Sequence, residues 1–199
     1  MEVKLDKRYP VQASPEQAWA VLSDIRATAA CMPGAAITEQ IDATHFKGSV
    51  KSKVGPAVMT FGGDIEVLAL DPASKAMTML GKGADKSGSS ASMNLAAHVE
   101  PGDTPGSSVL VGVATIIVSG KLAQFGSRLL VPVSDAMLAQ FAGNFNSAAA
   151  AVPAATPAGE TAPPPAPAAA PQPVQELNAL ALLWVVFKGW LAGLFGNKT

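Results

Sequence analysis

Few groups in this chain have the type and spacing to do covalent or metal chemistry. His45 and His98 fall on strand-like runs at positions that alternate toward solvent. Neither has an evident carboxylate or cysteine partner at metal-ligand spacing, so both read as surface histidines. Cys31 sits beside Pro33 at the end of a short helical piece, where it is either a nucleophile or a small buried thiol. Asp64 and Glu66 alternate outward on one strand and read as a solvated face. The chain has no glycine-rich phosphate loop, CxxC pair or H-E-x-x-H run. No catalytic residue and no metal site are expected. Lys47, Lys51 and Lys53 share the wet face of one strand, and Lys121 and Arg128 open the last long helix. They suit an anionic headgroup or an acidic patch on a partner, or solubility alone.

The stronger signal is an apolar inner face of unusual make-up. Met59, Phe61, Ile65, Met77, Met79 and Met93 fall on inward positions, interspersed with Gly48, Gly62, Gly63 and Gly81. Methionine adapts its shape and glycine leaves room, so such a sheet can surround an irregular apolar guest. An ordinary core with methionine as gap-filler fits the same pattern. Polar groups on the expected inner face are few: Ser52 and Thr115, with Asn94 pointing outward.

A helix must close that face. From Gly120 to Ala151 apolar residues recur at three and four, through Leu122, Phe125, Leu129, Val133, Met137, Phe141 and Phe145, an amphipathic helix long enough to lie across a sheet. Steps of four overshoot a helical turn by about 40°, so the stripe drifts unless the axis bends. Pro132 offers a bend, since it cannot donate to the carbonyl of Arg128; it also fits a break between two helices, the second starting at Ser134.

The sheet comes before it. Val3, Leu5, Tyr9 and Val11 alternate as a half-buried strand, and Pro10 suggests an edge. Ser14, Pro15 and Gln17 form a capping-box helix start; a helix holding Trp19, Val21, Leu22 and Ile25 follows, then a short helical piece that stops at Pro33-Gly34. From Ala35 to Gly120 strand-like runs alternate with turn chemistry at Asp42–Thr44, Gly55-Pro56, Asp71-Pro72, Asp85–Gly88 and Pro101–Gly106, an antiparallel meander. Phe46, Gly48, Val50, Ser52 and Val54 face in on one strand; Ala91, Met93, Leu95, Ala97 and Val99 face in on another.

With 199 residues, a net charge of -1 and only 15% charged residues, the chain has room for a real core and no electrostatic case for nucleic acid. A lone cysteine and no charged-then-apolar leader point to the cytoplasm. The expected body spans 1–152. Residues 153–176 are a Pro/Ala-rich linker: 153–175 hold eight of the sixteen prolines and suit extended polyproline II, reaching on the order of 70 Å at about 3.1 Å per residue. Residues 177–199 are an apolar tail. Its run Leu177 to Phe195, about 19 residues, is just enough to cross about 30 Å of hydrocarbon. Leu180, Trp184, Phe187, Trp190 and Leu194 fill one face with Lys188 opposite, which suits a helix in the membrane interface. A spanning anchor with Lys188 snorkelling and a Gly189–Gly193 contact fits as well.

The order strand, two small helices, meander and long helix resembles the START-like (SRPBCC) lipid-binding superfamily. Four motifs bring it closer to the CoxG family of carbon monoxide dehydrogenase accessory proteins: Ala30-Cys31-Met32-Pro33-Gly34, Lys53-Val54-Gly55-Pro56, Gly81-Lys82-Gly83 and, most specifically, Gly120-Lys121-Leu122-Ala123-Gln124-Phe125-Gly126-Ser127-Arg128. The resemblance covers about residues 1–150; Pro132 departs from it. It implies an α+β helix-grip fold: a curved antiparallel sheet of about seven strands wrapped around a long C-terminal helix, with two small helices after the first strand. It also implies a deep apolar cavity and a non-enzymatic role of bringing molybdenum carbon monoxide dehydrogenase to the membrane. The expectation built on it is a carrier of respiratory quinone, menaquinone first, at the cytoplasmic face of the cell membrane, peripheral or tail-anchored. Phe46, Val50, Met59, Phe61, Ile65, Met77, Met79, Met93 and Leu95 of the sheet, with Phe125, Leu129, Met137 and Phe141 of the helix, would enclose the guest. Gly120, Lys121, Gly126, Arg128 and Pro132 would form the mouth and hinge. A purely structural anchor for the dehydrogenase is the alternative, and an enzyme is a more distant one.

Overall fold

The structure is a computed structural model and describes residues 1–54 and 57–154. Strand β1 (Glu2–Val11) leads to α1 (Pro15–Leu22) and α2 (Ile25–Cys31); then β2 (Ala35–Gln40), β3 (His45–Val54), β4 (Ala57–Asp71), β5 (Ala76–Asp85), β6 (Ser89–Pro101) and β7 (Ser108–Ser119) follow as a meander. A 3₁₀-helix (Gly120–Phe125) and α3 (Gly126–Ala151) close the described chain. All strands pair antiparallel in one seven-stranded sheet of order β1-β7-β6-β5-β4-β3-β2. The expected α+β helix-grip architecture is present. The Gly55-Pro56 turn, the linker beyond residue 154 and the apolar tail lie outside the described residues.

Local chemistry accounts for most boundaries. Ser14 caps α1 in a reciprocal capping box: its hydroxyl accepts from the Gln17 amide at 3.3 Å and its own amide donates to Gln17 Oε1 at 2.9 Å. The two small helices divide one turn earlier than the apolar pattern suggests. Asp24 accepts from the amides of Arg26 and Ala27, so Ile25 opens α2 instead of closing α1. Pro10 lies on β1, an edge strand paired only with β7, where its missing donor costs no ladder bond.

The alternation falls as expected on β3 to β6, with Phe46, Met59, Val67, Met77, Ala97 and Val99 buried. On β7 the buried positions include Ser108, Leu110, Ala114 and Val118, so Thr115 points to the outer face and is not an inner polar group. Gly62 also faces out. Gly48, Gly63 and Gly83 are register partners across β3, β4 and β5. A Cβ on Gly63 would lie 1.9 Å from the Lys82 carbonyl oxygen, so this side-chain-free row lets β4 and β5 close in where the sheet bends.

The long amphipathic segment is not one helix. Its first six residues wind as the 3₁₀-helix and the break comes at Gly126, whose φ of 68° and ψ of 173° are accessible to glycine alone. α3 then runs through Pro132, so that residue neither ends a helix nor starts one at Ser134. Pro132 sits on the exposed side of α3.

Candidate ligand-binding face

α3 lies on the concave face and touches the sheet toward both flanks. On one side Asp135 Oδ1 is 2.9 Å from Lys7 Nζ on β1. On the other the Ser52 hydroxyl of β3 meets Met137 Sδ at 3.5 Å. Between these contacts the core divides into two clusters.

The first cluster lies under α1, α2 and the far half of α3. It joins Val11, Val21, Leu22, Cys31, Met77, Val99, Leu110 and Phe145, with Met79, Leu95 and Phe141 packed against it. The second lies at the 3₁₀-helix: Met59, Val118, Leu122 and Leu130, with Phe61, Ile116, Phe125 and Val133 alongside. Leu130, off the expected apolar stripe, is therefore a core residue; the side chain of Leu129 is outside the described ones. Twelve of the thirteen expected cavity residues, Leu129 aside, are thus spread over four places. Met77, Met79, Leu95 and Phe141 belong to the first cluster, and Met59, Phe61 and Phe125 to the second. Val50, Ile65, Met93 and Met137 join neither and stay partly exposed, as do Leu5, Tyr9 and Leu138. Those seven, on the inner face of the sheet and on α3, make up an apolar band that neither cluster takes in. Phe46 stands apart, buried against a hollow of about 220 Å³ that Ile25, Arg26, Gln40, Ala43, Val67 and Leu70 also line. A wider hollow of about 450 Å³ lies on the outer face around Gly62, Lys82, Gly83, Ser90, Ser92 and Ile117. Neither hollow is under α3.

The residues expected at the mouth play different parts. Gly120 is clamped: a Cβ there would sit 2.0 Å from the Gly88 carbonyl oxygen, and the Leu122 amide donates to buried Ser89 Oγ at 3.1 Å. Gly126 is open, with nothing within 4 Å of an added Cβ. Lys121 and Arg128 are exposed.

Both histidines do have carboxylate neighbours. His45 Nδ1 is 3.0 Å from the Asp42 carboxylate and His45 Nε2 is 3.9 Å from Glu66 Oε1; His98 Nε2 is 2.9 Å from Glu100 Oε1. Spacing alone hid Glu66, which reaches His45 only through the β3–β4 register. The Thr44 amide, then the His45 ring and amide, hold the Asp42 carboxyl well below the usual carboxylate range. Among the described residues no three His, Cys, Asp or Glu side chains converge as metal ligands. Cys31 is buried, and burial raises its thiol pKa.

Sequence reasoning missed the pair Lys7 and Asp135. The signal was present: Lys7 occupies an odd, inward position of β1 among Val3, Leu5, Tyr9 and Val11.

A family model for the carbon monoxide dehydrogenase protein CoxG matches residues 8–150. The chain belongs to the CoxG family. That places it with the accessory proteins of carbon monoxide dehydrogenase. Similar solved structures include a conserved protein from Geobacillus kaustophilus, 18% identical with a TM-score of 0.67 over 74% of this chain and 95% of that one. The Zhui aromatase/cyclase from a Streptomyces species is 14% identical, with a TM-score of 0.56 over 75% and 94% of the two chains. A START superfamily protein from Mycobacterium smegmatis is 15% identical, with a TM-score of 0.51 over 72% and 94%. At such identities the likeness carries the START-like fold alone. No curated protein matches the chain. The expected membrane contacts Leu180, Trp184, Phe187, Lys188, Trp190 and Leu194 lie outside the described residues. Within the described ones no helix is long and apolar enough to cross a membrane.

Proposed function

We propose that this CoxG-family chain is a non-enzymatic carrier that takes a respiratory quinone, menaquinone first, from the cytoplasmic face of the cell membrane to molybdenum carbon monoxide dehydrogenase. The observation that carries this reading is the set of inward apolar residues that neither core cluster takes in. Val50, Ile65 and Met93 lie on the inner face of the sheet and Met137 and Leu138 on α3, and all five remain partly exposed. Burying them against a guest would gain about 25 cal/mol for each Å² removed from water. Met93 and Met137 are unbranched and polarizable, so they can re-pack around a flat ring or a prenyl chain.

The rest of the chain supplies logistics. A prenylated quinone is confined to the bilayer by its apolar area, while the dehydrogenase is water-soluble, so a carrier needs a membrane foothold and reach. The Pro/Ala-rich linker and apolar tail read from the sequence offer both, whether the tail lies in the interface or spans. Loading requires the near half of α3 to lift, with Gly126 as the joint.

The rival is a structural anchor whose body docks the dehydrogenase and whose interior is ordinary core. The position of both hollows away from α3 favours it. Mass spectrometry of organic extracts decides between them. The full chain purified from its native host should release stoichiometric quinone, and Met93→Asp, with the same tail, should release only background lipid. Equal quinone from both, or none from either after incubation with quinone-containing vesicles, removes the carrier and leaves the anchor.

A further inference from the structure

The cations of the body divide by place. Lys4, Lys7, Arg8, Lys47 and Lys75 each pair with a carboxylate. Lys51, Lys53, Lys86, Lys121 and Arg128 are exposed, and among the described residues none of them forms an ion pair. Those five stand at one end of the fold. The register row Ser49–Gly62–Ala84–Ser90–Ser119 crosses β3 to β7. Beyond it lie Lys51 and Lys53 on β3, Lys86 in the β5–β6 turn and Lys121 in the 3₁₀-helix. Arg128 is in the first turn of α3, two residues before Leu130, which packs with Met59 and Leu122 of the same end. Among the described residues of those strands, their turns and the 3₁₀-helix, the carboxylate beyond the row is Asp85, and Ser87 caps it. The other end has the reverse sign: Asp42, Asp71 and Asp103 lie in or beside its connections, and its Lys75 is paired with Glu16. Like charges gathered at one end repel one another, a cost that an even spread avoids. Val58 adds a second observation. It is the register partner of Lys53 and is 59% exposed, an apolar side chain set among the lysines.

We propose that this end of the body is a docking surface for anionic lipid headgroups, a membrane contact separate from the apolar tail. Cations carried on four different elements suit a broad negative surface, such as the cytoplasmic leaflet, and Val58 leaves water for the headgroup boundary between them. The described chain leaves α3 at the opposite end, where Gln17 donates to the Val152 carbonyl. Extended, the Pro/Ala-rich linker would reach on the order of 70 Å, against about 39 Å for the 26 residues of α3, so the body can turn its basic end to the membrane that holds its tail. The proposal rests on the membrane part of the carrier reading and deepens it. The docked end is the one that carries Gly126, so the near half of α3 would open toward lipid.

The test uses the full chain and phosphatidylcholine vesicles with and without phosphatidylglycerol. An environment-sensitive fluorophore on Val58→Cys, selective because Cys31 is buried, should report an apolar medium on the anionic vesicles and water on the neutral ones. The same fluorophore on Ala73→Cys, at the acidic end, should stay in water on both. Adding Lys53→Gln and Lys121→Gln should lower the docked-to-undocked ratio at position 58 about twenty-fivefold, about fivefold for each charge, and added salt should lower it too. Arg26→Gln, an exposed arginine outside the cluster, should leave that ratio within about twofold. A position 58 that stays in water on both vesicles, or docking unchanged by the two lysine substitutions, overturns the proposal and leaves the tail and the carrier standing. Loss of dehydrogenase capture in the lysine variant with docking unchanged assigns this end to an acidic face of the enzyme, and overturns it as well. A full chain that binds neither kind of vesicle removes the proposal together with the membrane part of the carrier reading.

Discussion

The two halves of α3 are held in opposite ways. The far half is fixed: Phe145 and Ala149 are fully buried, the Asn144 amide donates to the Cys31 carbonyl at 2.9 Å, and the Gln12 amide donates to Asn146 Oδ1 at 2.7 Å. The near half begins at a strained glycine without a side-chain cap and, among its described side chains, buries Leu130 alone. Its ties to the sheet flanks are an exposed ion pair and a hydroxyl–thioether contact. One helix therefore does two jobs. Its far end stabilises the fold, and its near end, with few buried contacts and no network behind it, is free to open at low cost.

That division is broken most directly at Phe145. Phe145→Ala should cost about 3–5 kcal/mol of global stability in denaturant unfolding, because a fully buried ring leaves a cavity that cannot collapse. A loss below about 1 kcal/mol would mean that the far end is no anchor. Two methionines then give a matched pair across the boundary. Met77 is 1% exposed inside the first cluster, whereas Met93 lies in the band. Met77→Ala should cost about 2–5 kcal/mol and Met93→Ala about 1 kcal/mol or less. Equal losses would show that the band is ordinary core and would favour the anchor.

Gly126 tests the joint. Its φ of 68° with ψ of 173° is closed to residues with a Cβ, although among the described residues no atom beyond the local backbone lies within 4 Å of one. Gly126→Ala therefore carries a purely torsional cost of about 1–3 kcal/mol. Hydrogen exchange should quicken from Gly126 to Leu138 and stay unchanged around Phe145 to Ala149. A uniform increase along α3 would mean that the helix moves as one body.

The parts of this fold that were legible in the sequence are those set by short-range chemistry. The Ser14–Gln17 capping box, the edge proline of β1 and the alternation of β3 each depend on residues within a few positions of one another. The break at Gly126 was not legible, because the apolar period from Leu122 to Phe145 runs on through it and a positive φ leaves no mark on such a pattern. The side-chain-free row of Gly48, Gly63 and Gly83 emerges only once the register is known. Lys7 was hidden differently: β1 announces itself by its apolar members, and the partner that explains the lysine lies on the last helix. The apolar inner face could be read, but not its division into two filled clusters and a band, which depends on where α3 crosses.

The smallest effect lies at that same lysine, whose pair with Asp135 ties the near half of α3 to β1. Its hydrogen bond and charge pairing with Asp135 raise the Lys7 pKa above 10.5. A raised pKa means that the pair's contribution is fully present below about pH 10.5 and is lost as pH climbs through the folded-state value. The stability difference between wild type and Asp135→Asn should therefore be small, flat from neutral pH upward, and vanish in strong alkali; added salt should shrink it, as for any exposed pair.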